Sequence, residues 1–582
     1  MEGRTVAWWR DLALSKPSEW RAAVLELCDR LRDEYRNDCI AVAPPKLIAA
    51  IADELLADDS DSTRPLLGVP VAVKDNIDAV PFATTAGCRE FAYQPHTSAF
   101  VVDLLRNAGA VVVAKTNLDQ FATGLVGVRT PFGVPVNARD RAFVPGGSSA
   151  GSATLVGHGA VPISLGTDTA GSGRVPALFN GIVGLKPSRG RLSTRGVVPA
   201  CASLDCVSVF ANTVADARLA LEVLDRYDAD DRFARRHANT VDPRPIESVV
   251  VPPDEQWFFD GDEESCALWL DLLATLRQRS VRIVTRDFAP LFAAAKLLYD
   301  DAWVAERFTA LGEFVEQHRD AVHPTTGKVL QSGNSYSAAD LFRVMWQVHA
   351  AQKAAQRVLA AGDAIVLPTV PRPIRLHEIE AQPIALNSML GHYTNFMNLL
   401  DMCGVAVPWG QYRSNDLKWG FTLIGAGGSD YQIAHWAADL LQEPTVTSPV
   451  GYLDLVVCGA HLSGLALHHQ LADRNARLVR RTHTAPRYRM LLIDDCEPHK
   501  PGLVLDQAGA SFPVEVWRLA TEHVADFAQL IPEPLALGPV ELQDGTRPIG
   551  FVCQGGDYRD ISSYGGWRAY REHAGPDGPA GG

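Results

Sequence analysis

The stretch Pro145-Gly-Gly-Ser-Ser-Ala-Gly151 is followed by a second small-residue stretch, Gly166-Thr-Asp-Thr-Ala-Gly-Ser-Gly-Arg-Val-Pro-Ala177. Upstream, the apolar run Gly68-Val-Pro-Val-Ala-Val-Lys74 ends in a lysine, and burial would disfavour the charged form of its amine. Amide hydrolysis needs a nucleophile, a base and hydrogen-bond donors for an oxyanion. Two serines in glycine-rich turns and one desolvated lysine meet these needs, so the pattern predicts a Ser-Ser-Lys hydrolytic site.

These segments belong to a region in which short β-branched runs alternate with helical stretches. The runs are Val69–Val73, Val111–Ala114 and Val161–Leu165, and helical periodicity is present in Ala99–Asn107. The alternation predicts an α/β fold over residues 65–200, with a sheet covered by helices on both faces.

The flanking regions are expected to be mainly helical. Residues 1–60 have apolar side chains at helical spacing. Residues 205–440 are helix-rich and add three strand candidates, Ser248–Val251, Val281–Thr285 and Ala364–Leu367. The last helix of this region is expected to begin near Ser429-Asp430 and to run to Leu441.

A Pro/Thr/Ser-rich stretch, residues 442–451, is the best candidate for a linker between domains. It divides the 582 residues into a first domain, 1–441, and a smaller second domain, 452–572, in which short strands alternate with turns. The Gly/Pro-rich tail, 573–582, is predicted to be disordered. More than one core is expected in a chain of this length, because single cores seldom grow beyond about 250–300 residues.

Composition argues against several classes of function. The net charge of -14 argues against a nucleic-acid surface. No uncharged apolar run reaches the ~18 residues of a transmembrane helix, and the N-terminus lacks the pattern of a signal peptide. The 10 cysteines form no CxxC pair and no HExxH motif occurs. We therefore expect reduced thiols, a cytoplasmic location, no membrane association, and no metal or other cofactor.

The lysine and the two serine stretches occur together in an order that is typical of one enzyme family. Lys74 comes first, Ser148 and Ser172 follow with a spacing of 24 residues, and Gly184-Leu-Lys-Pro-Ser188 completes the pattern. From about residue 60 to residue 440 the chain resembles the amidase signature family. This resemblance implies the fold of that family, a mixed central sheet covered by helices.

The resemblance also implies a role for each residue of the pattern. Ser172 would be the nucleophile, Lys74 the base, and Ser148 the bridging serine, preceded by a cis peptide bond. The oxyanion hole would be formed by the N–H groups of Thr169, Ala170, Gly171 and Ser172. Asp168 and Arg174 would hold the loop rather than take part in the chemistry.

Ala170 and Gly173 stand where the family more often has Gly and Ile. In this departure the chain resembles the allophanate hydrolase subgroup, and so do Lys115–Gly127, Ser203–Ala211 and Tyr393–Asp401. The subgroup resemblance implies hydrolysis of allophanate, a small urea carboxylate. It also implies a functional link to a urea carboxylase and a homodimer formed through the first domain.

Tyr299 and Arg307 are candidates for binding this substrate. They lie two helical turns apart, so on one helix both side chains could point into one pocket. Arginine suits a carboxylate because its planar fork donates two parallel hydrogen bonds. By resemblance, both residues bind the substrate and the backbone at Gly124 closes the other side. From spacing alone, an ion pair of Arg307 with Glu306 or Asp300 is the alternative.

The second domain is similar to the C-terminal domain of full-length allophanate hydrolases, on segments that begin with Leu455-Val-Val-Cys-Gly-Ala-His461-Leu-Ser-Gly464. The resemblance implies a small α+β, γ-glutamylcyclotransferase-like domain that speeds decarboxylation of N-carboxycarbamate, the product of the first domain. His461 would be the catalytic residue of this step, although a lone histidine is often structural. Arg487 is a second candidate, because a dianion needs a cation.

Two alternatives stay open. The chain could be another amidase-signature enzyme, such as the glutaminase subunit of a tRNA-dependent amidotransferase, which would not be expected to carry the domain with His461. Alternatively, residues 452–570 could be a docking or regulatory module without chemistry. In that case the substitution His461→Ala would leave turnover to ammonia and carbon dioxide unchanged.

Overall fold

The computed structural model describes residues 4–56, 64–237, 239–240, 244–299, 301–443, 452–474, 476–554 and 556–574. The chain forms two compact units: residues 1–235 with 244–447, and residues 236–243 with 448–582. Of the predicted linker, residues 444–451 lie outside the described residues, as do residues 575–582 of the predicted tail.

The described residues contain the strands β1 Cys39–Val42, β2 Pro70–Lys74, β3 Val111–Thr116, β4 Ile163–Asp168, β5 Val183–Lys186, β6 Cys206–Ala211, β7 Asn239–Thr240, β8 Ser248–Val251, β9 Arg282–Thr285, β10 Ala364–Pro368, β11 Met402–Gln411, β12 Lys418–Ala426, β13 Tyr452–Val457, β14 Arg477–His483, β15 Tyr488–Ile493, β16 Lys500–Leu505, β17 Pro513–Ala520, β18 Leu535–Pro539, β19 Ile549–Cys553 and β20 Arg559–Asp560.

The same residues contain the helices α1 Val6–Ser15, α2 Pro17–Asp33, α3 Pro45–Leu56, α4 Phe100–Asn107, α5 Ala150–Gly157, α6 Val175–Asn180, α7 Val214–Leu224, α8 Glu263–Gln278, α9 Ala289–Leu297, α10 Ala305–Gln317, α11 Pro324–Ser332, α12 Ala338–Leu359, α13 Leu376–Ala381, α14 Ala385–Leu390, α15 Phe396–Leu399, α16 Asp430–Leu440, α17 His468–Ala472, α18 Val524–Ala528 and α19 Trp567–Ala574.

The first unit is built on an 11-stranded mixed sheet with the order β1-β3-β2-β4-β6-β5-β11-β12-β10-β8-β9. Every residue of β2, β3, β4 and β6 is buried. Strands in which every residue is buried, rather than every second one, are typical of a sheet with both faces covered. The α/β fold predicted from the sequence, with a mixed central sheet covered by helices, is confirmed.

Two details of the predicted elements are wrong. Residues 1–60 contain the edge strand β1 as well as helices, and β11 and β12 form a long antiparallel pair in a region predicted to be mainly helical. β1 is only 4 residues long, which is too short to stand out between two helices. β11 contains glycine and proline, which normally argue against a central strand. Its register shifts between Pro408 and Gly410, where the ladder is irregular.

The second unit has its own sheet of 9 strands, with the order β20-β15-β16-β19-β13-β17-β14-β7 and with β18 paired to β19. Its buried core includes Trp517, Phe512 and Phe551. β7 comes from the segment 236–243, which interrupts the first unit in the sequence. A two-residue strand has no periodicity, so the sequence did not predict this excursion. The α+β class is observed, and the likeness to γ-glutamylcyclotransferase stays a prediction.

The topology of the first unit brings three chain segments to one edge of its sheet. β2 and β4 are parallel neighbours, so Lys74 and Asp168, their last residues, lie at the same edge. β6 is antiparallel to β4 and begins at Cys206, which pairs with Asp168. The segment before β6 therefore arrives at this edge too.

Across the described ranges, no helix is both long enough and apolar enough to cross a membrane. No cluster of His, Cys, Asp and Glu suited to hold a metal ion occurs in the part of the chain that the structure describes. All 10 cysteines lie in that part, and each is a free thiol.

Candidate active site

The amine of Lys74 is fully buried at the end of β2. Its Nζ lies 2.8 Å from Ser148 Oγ and 2.7 Å from Thr167 Oγ1, and it donates a hydrogen bond to each hydroxyl. Thr167 is the penultimate residue of β4, the parallel neighbour of β2. The structure thus brings together the predicted base and the predicted bridging serine, and it holds the amine between two neutral hydroxyls.

Burial is the main influence on the protonation of Lys74. Burial lowers the pKa of Lys74 from 10.5 to about 7, while the negative fields of Asp119, Asp205 and Asp168 act in the opposite direction and raise it. A lysine amine with a pKa near neutrality is half deprotonated at physiological pH, so it can act as a base.

Ser148 lies in a tightly packed turn, and the Gly147–Ser148 peptide bond is cis, as the resemblance implies. The Gly147 N–H donates to the carbonyl oxygen of Leu125 at 2.9 Å. A Cβ at position 147 would lie 2.1 Å from Asp119 Oδ2 and 2.5 Å from the backbone nitrogen of Gly127. Only glycine fits this position, because the turn passes directly against neighbouring backbone.

Ser172, the predicted nucleophile, is 3% exposed and follows the end of β4. Its hydroxyl donates to the carbonyl oxygen of Gly124 at 3.5 Å. The hydrogen bonds that the described residues make do not join Ser172 to Ser148 directly. The turn that carries Ser148 and the Ser172 side chain contact the same short segment instead, since the Gly147 N–H binds Leu125 and the Ser172 hydroxyl binds Gly124. For Ser148 to accept the proton of Ser172, as the resemblance implies, the Ser172 hydroxyl would have to rotate.

The segment that precedes Ser172 presents a row of free backbone donors. Within the described ranges, no protein atom accepts a hydrogen bond from the N–H groups of the four residues Thr169, Ala170, Gly171 and Ser172. All four residues are buried. Buried backbone donors are almost always paired, so a run of unpaired ones indicates a site for an anionic ligand atom. This is the arrangement that an oxyanion hole requires.

An ion pair fixes the end of this oxyanion loop, residues 169–172. Arg174 donates to both carboxylate oxygens of Asp168 at 2.9 Å, and both side chains are completely buried. Burial on its own would raise the pKa of Asp168, but Arg174 holds it below its usual value. This agrees with the expectation that the pair holds the loop.

Arg307 and Tyr299 are in contact, although they do not lie on one helix as the sequence predicts. The expectation of one helix is wrong: α9 ends at Leu297, a short 3-10 turn covers Ala302–Val304, and α10 begins at Ala305. Even so, Arg307 Nη2 donates to the Tyr299 hydroxyl at 3.1 Å, and the guanidinium lies 4.7 Å from the centre of the tyrosine ring.

The Arg307 guanidinium retains an unused donor in a buried setting. The side chain is 0% exposed, Nη1 donates to Thr123 Oγ1 at 3.2 Å, and Nε has no partner among the described residues. Glu306 does not pair with it, because its carboxylate binds Ser203. Asp300 lies outside the described residues. A buried guanidinium with a free donor is suited to an anionic ligand.

Gly124 lies beside this arginine because Thr123 is its chain neighbour. Its φ is +155°, and a Cβ there would lie 2.6 Å from Asp119 Oδ2. Any side chain would therefore collide with the carboxylate that organises the loop. The carbonyl oxygen of Gly124 accepts the hydrogen bond of the Ser172 hydroxyl.

In the second unit, His461 is enclosed by neighbouring side chains and only 7% exposed. Its Nε2 lies 2.9 Å from Gln470 Oε1, and its ring stacks on Phe551 with the centroids 4.9 Å apart. Burial lowers the pKa of His461 to about 4, so the imidazole is neutral at physiological pH. Arg487 is half exposed and pairs with Glu541 at 3.0 Å.

The second unit also contains a cavity of about 690 Å³. Its lining includes Arg481, Arg568 and the first residues of α19. The carboxylate of Glu515, which also lines the cavity, pairs with both arginines, 3.2 Å from Arg481 and 3.8 Å from Arg568. His461 and Arg487 are not among the lining residues.

Sequence reasoning missed three polar residues of the first unit that the structure places at the site. They are Thr167, which binds Lys74, Asp119, which binds the N–H groups of Gly127 and Arg129, and Asp205, which binds Thr169. Each lies within a segment that was recognised as typical of the family. The signal was therefore present, but only the fold shows which neighbours these residues have.

Comparison with known proteins gives a consistent result. The family model described as Amidase matches residues 22–434, and the model described as Allophanate hydrolase C-terminal domain matches residues 453–572. The solved structure of Kluyveromyces lactis allophanate hydrolase is similar with a TM-score of 0.75 and 36% identity, and the match covers 98% of this chain and 99% of that one.

Two curated relatives match different shares of the chain. Urea amidolyase of Saccharomyces cerevisiae is 37% identical over 620 residues, which cover 98% of this chain and 33% of the relative. The chain thus spans about a third of the length of that urea amidolyase. A glutamyl-tRNA(Gln) amidotransferase subunit of Treponema denticola is 30% identical over 458 residues, which cover 70% of this chain and 93% of the relative.

Proposed function

Because the chain belongs to the amidase family and also carries an allophanate hydrolase C-terminal domain, we propose that it is an amidohydrolase that converts allophanate to ammonia and carbon dioxide. The observation that carries this proposal is the position of Arg307. Its guanidinium is buried near Gly124, the residue that Ser172 contacts, and its Nε has no partner in the described structure. A small anionic amide is the ligand that such a site selects.

Binding of allophanate would use both ends of the molecule. The carboxylate would accept hydrogen bonds from Arg307 and from the Tyr299 hydroxyl. The terminal amide would lie at Ser172, with its N–H donating to the carbonyl oxygen of Gly124. Charge-assisted hydrogen bonds in a buried site are about twice as strong as neutral ones, so Arg307 supplies much of the binding energy.

The first chemical step is acylation of Ser172. Neutral Lys74 accepts the proton of Ser148, and Ser148 in turn accepts the proton of Ser172 as its oxygen attacks the terminal carbonyl carbon. The oxyanion receives hydrogen bonds from the N–H groups of residues 169–172. The proton then returns through Ser148 to the leaving nitrogen, the C–N bond breaks and ammonia departs.

Water then attacks the acyl group and restores Ser172. Lys74 and Ser148 take the proton from this water and return it to the serine oxygen. Replacing the terminal amino group of allophanate by oxygen in this way yields N-carboxycarbamate, a dianion. Loss of carbon dioxide from it breaks a C–N bond, leaves the electron pair on nitrogen, and consumes one proton to give carbamate. Carbamate decomposes in the same way to ammonia and a second carbon dioxide.

We propose that the second unit promotes decarboxylation of this dianion. The cavity supports the idea, because the guanidinium groups of Arg481 and Arg568 and the N-terminal turn of α19 offer donors to a small dianion. Glu515 and Glu572 line the same cavity and offset part of this positive charge. His461 is proposed as a catalytic residue on family resemblance. Its ring is buried, pairs with Gln470 and does not line this cavity, so the resemblance is the sole support for this role.

Two further proposals concern the whole protein. A functional link to a urea carboxylase is supported by the likeness to urea amidolyase, and a cytoplasmic location is supported by the 10 free cysteines. We also propose a homodimer formed through the first unit. It is supported by exposed apolar side chains on α12, namely Leu341, Phe342, Met345 and Trp346.

The alternative of a glutaminase is supported by the likeness to the glutamyl-tRNA(Gln) amidotransferase protein of Treponema denticola. That likeness covers 70% of this chain. The allophanate hydrolase C-terminal domain at residues 453–572 favours the first proposal.

The test is ammonia release from allophanate, biuret, malonamate and glutamine by the purified protein. Allophanate is expected to be the best substrate, and the variant Ser172→Ala is expected to lose ammonia release completely. The variant Ser152→Ala is a matched control on α5, because Ser152 binds Thr116 and the Leu165 carbonyl rather than the catalytic lysine. Preference for glutamine would support the alternative, and activity retained by Ser172→Ala would overturn the nucleophile.

The role of the second unit is tested by following the release of ammonia and the release of carbon dioxide over time. In the variants His461→Ala and Arg481→Gln, release of the first ammonia is expected to keep its rate, while carbon dioxide release is expected to lag behind it. Equal timing in wild type and both variants would favour a docking module without chemistry.

A further inference from the structure

The segment Ser203–Ala211 resembles its family counterpart, yet none of its residues takes part in the catalytic steps. Its beginning overlaps a loop that we name the connecting segment, Ala200–Asp205. The connecting segment contacts the oxyanion loop at one end and the helix of Arg307 at the other. These are the two places that hold the two ends of the proposed substrate.

At the first end, the buried carboxylate of Asp205 binds the oxyanion loop. It accepts a hydrogen bond from the Thr169 hydroxyl. It also accepts the backbone N–H of Ala200 at 2.8 Å and that of Cys201 at 3.1 Å. Asp205 thereby closes its own loop into a rigid turn and attaches Thr169, the first residue of the oxyanion loop, to that turn.

At the second end, Ser203 binds the helix that carries Arg307. Its backbone N–H donates to Glu306 Oε1 at 2.7 Å, and its hydroxyl donates to Glu306 Oε2 at 2.8 Å. Glu306 is adjacent to Arg307 in α10, so this two-point attachment sets the position of the guanidinium. Trp303 Nε1 donates to the same carboxylate at 3.1 Å and supports it from its other side.

A third contact, made by Asn398, joins the strand before the oxyanion loop to the connecting segment. The side-chain amide of Asn398 is completely buried and donates to the carbonyl oxygens of Asp168 and Leu204, at 2.8 Å and 2.9 Å. It therefore ties the end of β4 directly to the connecting segment. The oxyanion loop and α10 are held at a fixed separation by hydrogen bonds that involve charged or buried groups at every step.

We propose that the connecting segment sets the length of the substrate that the site accepts, with Ser203 and Glu306 as positioning residues. In allophanate one atom separates the amide carbon from the carboxylate carbon. An acid with two atoms between them would place its carboxylate beyond Arg307 as long as α10 stays attached. A misplacement of about 1 Å can cost roughly 100-fold in rate, so a fixed separation is enough to discriminate by one bond.

This inference rests on the proposed function, and its test uses the variant Glu306→Gln. An amide can no longer accept both hydrogen bonds from Ser203, because one oxygen is replaced by a donor. Loss of a hydrogen bond to a charged group amounts to roughly 10-fold or more in an equilibrium. The KM for allophanate is expected to rise by about this factor, while kcat stays within about threefold.

The decisive readout is the ratio of kcat/KM for succinamate to that for malonamate, which has the same length as allophanate. In Glu306→Gln and in Ser203→Ala this ratio is expected to rise at least about 10-fold. The variant Glu313→Gln carries the same substitution at an exposed position of α10 and should keep both values.

The outcomes separate the two proposals. A wild-type protein that releases no ammonia from allophanate overturns the proposed function. If the wild type is active and the variants have a higher KM but the same ratio of kcat/KM for succinamate to that for malonamate, the inference alone is overturned. The connecting segment is then merely structural. Unchanged KM and ratio in both variants overturn it as well.

Discussion

The proposed role of Lys74 as a base depends on two opposing effects on the protonation of a single amine. Burial favours the neutral form, and three carboxylates nearby favour the charged form. The two hydroxyls that the amine contacts are uncharged, so they form no ion pair that would favour the charged amine. The result is a pKa of about 7, which leaves a large neutral fraction and still allows the amine to take a proton.

The first prediction is the dependence of activity on pH. Only neutral Lys74 can accept a proton, so kcat/KM for allophanate should fall about tenfold per pH unit below pH 7 and level off above it. Initial rates of ammonia release between pH 5 and pH 9 measure this profile. The variant Asp205→Asn removes one of the negative fields that raise the pKa of Lys74, so it should move the acid limb to lower pH. A wild-type profile that is flat down to about pH 5 would contradict a neutral lysine base.

The second prediction concerns Arg307. The variant Arg307→Ala should lower kcat/KM by roughly 10- to 1000-fold, mainly through KM, because it removes a charge-assisted pair with the substrate carboxylate. Arg307→Lys keeps the charge but lacks the planar fork, so its loss should be intermediate. Steady-state kinetics with allophanate measure both. Arg319, exposed just after the same helix, serves as the control in Arg319→Ala. An unchanged KM in Arg307→Ala would contradict its role in binding.

At the scale of elements, the site depends on how closely backbone segments approach one another. Strands β2 and β4 deliver Lys74 and the oxyanion loop to one sheet edge, and the turn with Ser148 passes against the loop of Asp119. The N–H of Asp119 donates to the carbonyl oxygen of Ser148 at 3.0 Å. These turns require small residues because little space separates the segments.

The third prediction tests that requirement with Gly147→Ala. The added methyl group would overlap Asp119 Oδ2 and the backbone of Gly127, neither of which can move without disturbing the loop. We expect a loss of about 1–3 kcal/mol in the free energy of unfolding and a loss of most activity. Thermal melting and ammonia release measure the two effects.

The control is Gly327→Ala, on helix α11, where the nearest atom to the new methyl group is 3.8 Å away. Alanine has a better helix propensity than glycine, so this variant should be as stable as the wild type or more so. Equal melting temperatures for Gly147→Ala and Gly327→Ala would contradict the argument from packing.

The elements of the first unit differ in how well they can be predicted from the sequence. The strands β2, β3 and β4 and the turn serines were found locally, because apolar runs and glycine-rich turns are continuous in sequence. The break in helix between Tyr299 and Arg307 was not found, since apolar periodicity continues through it. The contacts of Asp205 and Glu306 join residues far apart in the chain, so only the fold could reveal them.

At the scale of the whole molecule, two units with separate cores correspond to the two chemical steps that are proposed. The first unit alone has the amidase match, and the second has its own sheet and its own cavity. Composition predicts a linker at residues 442–451, but it gives no signal for the excursion of residues 236–243 into the second unit. A short segment that pairs with a distant strand leaves no local signal.

The last prediction concerns self-association. Phe342 and Trp346 lie one turn apart on α12 and are 56% and 68% exposed, with Met345 beside them. Exposed apolar patches of this kind mark interaction sites, and a helix face can pair with its own copy around a twofold axis. We expect the wild type to be a dimer by sedimentation velocity and Phe342→Glu to be a monomer with unchanged thermal stability of each unit. Leu270→Glu replaces an exposed apolar residue on α8 and should remain dimeric. A Phe342→Glu variant that stays dimeric would exclude this face as the interface.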